Sequence, residues 1–76
     1  MARSTIFGFG KQQKYEDAFN YYKAAANAYK LADQFKESAQ MYLKASECAG
    51  IVDGNPVSVD VVNNLIEAAN CYKRTD

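Results

Sequence analysis

Four sets of side chains in this chain could carry chemistry or recognition. Cys48 and Cys71 are its two thiols, and a thiol can be a nucleophile, a metal ligand or half of a disulfide. The six tyrosines offer rings with hydroxyl tips, and Lys23, Lys30, Lys36 and Lys44 offer positive charge. Ile6-Phe7-Gly8-Phe9-Gly10 is an apolar run near the N-terminus. The chain has no histidine, so with two cysteines a structural zinc site would need ligands that are not there. No Gly-rich phosphate loop, CxxC pair or other catalytic constellation is present, so neither an enzyme nor a cofactor site is expected. Both cysteines lie beside alanines in helical patterns and read as small buried hydrophobes; a disulfide between them is the weaker reading. The tyrosines recur at helical spacing and read as core rings with their O–H tips toward water. The lysines read as solvated faces.

The apolar run has two readings. Arg3, Lys11 and Lys14 surround it, and no acidic residue precedes Glu16. An apolar tip among cations suits an anionic membrane surface, with Ile6, Phe7 and Phe9 inserted and Arg3 and Lys11 at the headgroups. Alternatively, Phe7 or Phe9 packs against the first helix. Gly8 and Gly10 oppose a helix here, so residues 1–13 are expected to be a flexible segment and residues 14–76 a helical domain.

Three periodic segments must position these groups. In the first, Tyr15, Ala18, Phe19, Tyr22, Ala25, Ala26, Tyr29 and Ala32 fall on one helical face, predicting a helix from Tyr15 to about Leu31. Its stripe mixes rings with alanines, which suits close antiparallel packing. After a short turn at Asp33-Gln34, a second helix is predicted from Phe35 to Ala49, with Gly50 as its C-terminal cap. A third is predicted from Pro56 to Arg74, with Asn55 as N-cap, Pro56 as its first residue, and Val61, Val62, Leu65, Ile66, Ala69 and Tyr72 as its apolar stripe. The β-branched run Val57 to Val62 leaves a strand as the alternative there. Phe19, Tyr22, Ala26, Tyr29, Ala39, Tyr42, Leu65 and Ala69 are the expected core.

The chain also repeats itself. Residues 25–33 read AANAYKLAD and residues 68–76 read AANCYKRTD, 43 positions later and identical at six of nine. A repeat of about 40 residues points to stacked helical hairpins. The expected fold is therefore all-α: a tetratricopeptide-like (TPR-like) antiparallel hairpin repeat of three helices, an incomplete solenoid. Its uncapped third helix implies self-association.

Composition narrows the class further. Nine basic residues balance nine acidic ones, which argues against a nucleic-acid binder. No apolar run approaches the roughly 20 residues that span a bilayer, and no signal-peptide pattern is seen, so a cytoplasmic location is expected.

Lys14-Tyr15-Glu16-Asp17-Ala18, Tyr22, Ala25-Ala26-Asn27 and Tyr29-Lys30 resemble the first helix of the soluble NSF attachment proteins, the SNAP adaptors of membrane fusion. Phe35 with Ala39, Tyr42 and Ala45 is similar to the family's second helix, and Glu67 through Asp76 to its third. Ile6 to Gly10 resembles its membrane-attachment loop. This resemblance implies a non-enzymatic, peripheral membrane adaptor of vesicle-mediated transport. It would bind SNARE complexes and, through a C-terminal region that nothing here matches, the NSF ATPase. Lys23, Lys30, Phe35 and Lys36 are the implied partner-binding residues. Asp33 departs from the family, standing where a basic residue is often found. The alternative is a free-standing TPR-like scaffold with no membrane role.

Overall fold

The computed structural model describes residues 6–75, with side chains described for residues 12–75. Its elements are α1 (Ile6–Leu31), α2 (Phe35–Asp53) and α3 (Val59–Arg74), and no strand occurs among the described residues. The all-α hairpin architecture expected from the periodicity is thus present.

α1 begins at Ile6, well before Tyr15, so its backbone takes in the Ile6–Gly10 run that the sequence reading made a loop. Each glycine in a helix interior costs about 1 kcal/mol. Extending an existing helix needs no new nucleus, however, so two such penalties can be absorbed. Just beyond the run, Gln12 Nε2 donates to the Val52 carbonyl at 2.7 Å. That carbonyl lies in the last turn of α2, where the helix itself supplies no partner.

Asp33 ends α1 in the left-handed region, with φ of 62°. The Gln34 N–H reaches the Tyr29 carbonyl at 2.8 Å and the Asp33 N–H reaches that of Lys30 at 3.0 Å. This is a Schellman close with aspartate where glycine is usual. α2 closes the same way one step better suited to the geometry: Gly54 has φ of 64°, and Asn55 N–H bonds the Gly50 carbonyl at 3.1 Å. Gly50, expected as the cap, is therefore inside α2, and Ile51, Val52 and Asp53 continue the helix.

The start of α3 also differs from expectation. Asn55 and Pro56 form a turn, in which Val57 N–H bonds Asn55 Oδ1 at 3.0 Å and Ser58 N–H bonds the Asn55 carbonyl at 3.2 Å. Ser58 is the N-cap, its hydroxyl accepting from Val61 N–H at 3.3 Å. Asn, Pro and Ser all suit both roles, and the asparagine side chain is committed to the turn. Helix then begins at Val59, so the strand alternative is not realised.

α2 lies between α1 and α3, which have little contact with each other. The molecule measures 49 × 23 × 12 Å. A thickness of 12 Å is about one helix diameter, so the chain is a single layer of antiparallel helices. Ala26, Ala39, Tyr42, Ala68 and Cys71 form the core cluster, with Phe35 and Met41 packed against it.

The buried side of α3 is Val61, Asn64, Ala68 and Cys71, rather than the stripe of larger residues. Leu65 and Ile66 remain 45% and 52% exposed, and Ala69 is exposed too. α2 meets α3 through Ser38, whose Oγ accepts from the Cys71 thiol at 3.5 Å, and Ser46, whose Oγ donates to the Val61 carbonyl at 3.4 Å. Helices joined by such short side chains approach closely, and alanine and cysteine fit that gap where leucine and isoleucine do not. Ala26, Ala39 and Tyr42 are buried as expected. Phe19 and Tyr22 are half-buried, and Tyr29 stays 40% exposed.

Candidate functional site

Two charge rows follow from the helical repeat. Glu16, Lys23 and Lys30 are seven residues apart on α1, as are Asp60, Glu67 and Arg74 on α3. Seven residues are close to two full turns, so each row keeps to one side of its helix. Both α1 and α3 run opposite to α2, so the rows are parallel and their acidic ends lie together. Glu16, Asp53 and Asp60, with Phe19 and Asn20, line a hollow of about 340 Å³ at that end. Lys30, Lys73 and Arg74, with Glu67, Asn70 and Cys71, line an open groove of about 410 Å³ at the other.

In that groove, Lys30 Nζ donates to Glu67 Oε1 at 3.2 Å, linking α1 to α3. The same ammonium lies 5.4 Å from the centre of the Tyr42 ring, and the Arg74 guanidinium lies 4.9 Å from that of Phe35. Phe35 and Tyr42 are themselves seven residues apart on α2. The middle helix thus supplies two ring platforms, each carrying a cation from a flanking helix. The Tyr42 side chain beneath Lys30 and the Glu67 carboxylate beside it hold the Lys30 pKa above the ordinary lysine value, against the opposing effect of partial burial.

Lys30 lines the groove, whereas Phe35 lines an adjoining hollow and meets the groove through Arg74, which borders both. Lys23 stacks on Phe19, 5.3 Å from the ring centre, two turns before Lys30 on the same side of α1. Lys36 lines that adjoining hollow with Asp33, Phe35, Glu37 and Arg74. Sequence reasoning missed Glu67, Asn70, Lys73 and Arg74, although the seven-residue charge spacing was available to find them. Arg3 lies outside the described residues. Ile6, Phe7, Phe9 and Lys11 belong to the α1 backbone, and their side chains lie outside what is described.

The cysteines are both free and buried. Burial pushes the Cys48 thiol up, and the neighbouring Glu47 adds to this, so it stays protonated. Among the described residues there is no group of three or more acidic or cysteine side chains placed to hold a metal ion, and no helix long and apolar enough to cross a membrane.

The family model for "Soluble NSF attachment protein, SNAP" matches residues 1–76. The chain belongs to the soluble NSF attachment protein family. It corresponds to the family's N-terminal part, as the helix-by-helix resemblance implied. Among curated proteins it is similar to the alpha-soluble NSF attachment protein of Vitis vinifera, with 32% identity over 75 residues. That match covers 97% of this chain and 25% of the relative, so the chain spans about a quarter of the relative's length. No solved structure matches.

Proposed function

We propose that this chain is a non-enzymatic adaptor element that lies along a SNARE four-helix bundle at a membrane surface during vesicle fusion and transport. The family match over residues 1–76 carries this reading. The groove supports it with Lys30, Lys73 and Arg74 presented beside one another, with Lys36 in the adjoining hollow and Lys23 two turns before Lys30 on α1. Lys23, Lys30, Phe35 and Lys36 contact the partner in this account. Ile6, Phe7 and Phe9, helped by Arg3 and Lys11, contact lipid. Contact with the NSF ATPase belongs to the part of the relative's length that this chain does not match.

Burying one Phe side chain stabilises by about 1.5–3 kcal/mol, and each cation near anionic lipid by about 1 kcal/mol. Lost translational and rotational freedom offsets much of this. A single chain therefore binds bare lipid weakly, and several copies on one complex bind far more tightly through effective concentration.

The test is co-flotation with anionic liposomes carrying or lacking assembled SNARE bundles, comparing the parent with Phe7→Ser plus Phe9→Ser. Flotation should rise strongly with the bundle present and fall with the double substitution. Binding to the bundle that is indifferent to lipid and to both phenylalanines would favour the scaffold reading.

A further inference from the structure

We propose that Glu67 is an internal competitor for the cationic groove: its carboxylate occupies the place on Lys30 that a partner's carboxylate takes, and the contact opens when an acidic helix docks between α1 and α3. This rests on the adaptor reading only in taking the groove as a partner site.

Three features of the groove lead here. Its charged lining is Lys30, Lys73 and Arg74 against the single carboxylate of Glu67. Lys30 and Arg74 are already positioned on the rings of Tyr42 and Phe35, so a ligand need not order them. Finally, Glu67, Asn70 and Arg74 follow one another at three and four residues on one side of α3. With the Glu67 carboxylate turned away, that side presents the asparagine amide and the guanidinium as hydrogen-bond donors facing Lys30.

The clasp is built to open. The Lys30 and Glu67 side chains are 35% and 46% exposed, and ion pairs that exposed are weak and screened by salt. A partner helix with carboxylates on successive turns offers several charges where Glu67 offers one. The acidic end of the same face, at Glu16, Asp53 and Asp60, repels such a segment and fixes which end of the groove it enters.

The test uses the 76-residue chain and a fluorescein-labelled helical peptide of repeating Glu-Ala-Ala-Glu as probe. Glu67→Gln should bind the probe about two- to fivefold more tightly than the parent at low salt, the range expected for losing one exposed pair, and the gain should vanish near 1 M salt. In the parent, the carboxyl carbon resonance of Glu67 should move toward that of an unpaired glutamate as the probe saturates. This second readout stands even if Glu67→Gln folds poorly. Equal or weaker binding by a helical Glu67→Gln chain, no saturable binding by it, or an unmoved Glu67 resonance at saturation overturns the proposal. No arm uses a SNARE bundle. A chain that passes them but ignores the bundle refutes the SNARE assignment alone, and one that binds the bundle but fails them refutes the clasp alone.

Discussion

Ser38 on α2 donates its hydroxyl hydrogen to the carbonyl oxygen of Ala26 on α1, at 2.7 Å and fully buried. The Ser38 hydroxyl oxygen in turn accepts from the Cys71 thiol of α3 at 3.5 Å. One side chain of the middle helix therefore ties both neighbours at the level of the core. Ser38→Ala keeps the packing of the Cβ and removes both bonds. It is expected to lower stability by about 1 kcal/mol, seen as a melting temperature about 4–8 °C lower by circular dichroism. An unchanged melting temperature would mean these bonds add nothing beyond van der Waals contact.

The two helix closures predict opposite responses. Asp33 sits at φ 62° with a Cβ, so Asp33→Gly should stabilise by about 0.5–1 kcal/mol. Gly54 sits at φ 64° with open space around it, so Gly54→Ala should destabilise by about 1 kcal/mol through backbone strain alone. Urea unfolding of both variants checks the pair, and a shift of the same sign in both would contradict the left-handed assignment at one of them.

The helices, their antiparallel order and the Asp33-Gln34 turn were legible because Ala/ring stripes at helical spacing and turn residues report them directly. The buried side of α3 was not. Hydropathy points to Leu65 and Ile66, whereas close approach to Ser38 and Ser46 selects Ala68 and Cys71. Gly50 was misplaced because a glycine near a helix end is ambiguous until the left-handed residue, here Gly54, is located. Of the groove's lining, only Lys30 is among the partner-binding residues the resemblance implied. Glu67 and Arg74 are not among them, since their seven-residue spacing marks a charged row on α3 but not the helix that row faces.

The outer side of α3 carries Val62, Leu65, Ile66 and Tyr72, all exposed. An apolar row of this kind drives association. Sedimentation equilibrium of the chain is expected to show self-association at high concentration. Leu65→Glu plus Ile66→Lys should abolish it with helicity retained. A parent that remains monomeric would contradict this.

The Lys30 ammonium gives a pH prediction. Its pKa is raised in the folded chain. The stability it contributes is therefore complete below the ordinary lysine value and is lost as pH rises through the folded one. Lys30→Gln should flatten the fall in melting temperature above about pH 10 relative to the parent. At neutral pH it should cost little, because the side chain is about a third exposed. Parallel pH profiles for parent and variant would show that Lys30 titrates without coupling to folding.

The central claim is that a partner bundle is recognised through the cations that α1 and α3 present over Phe35 and Tyr42. The most direct measurement is a titration of an assembled, labelled SNARE four-helix bundle with the 76-residue chain, followed by anisotropy. Lys30→Glu plus Arg74→Glu is run beside it, with helicity checked. The account predicts saturable, salt-sensitive binding by the parent and at least tenfold weaker binding by the double variant, about 1.4 kcal/mol or more. No binding by the parent, or equal binding by a folded double variant, would contradict it.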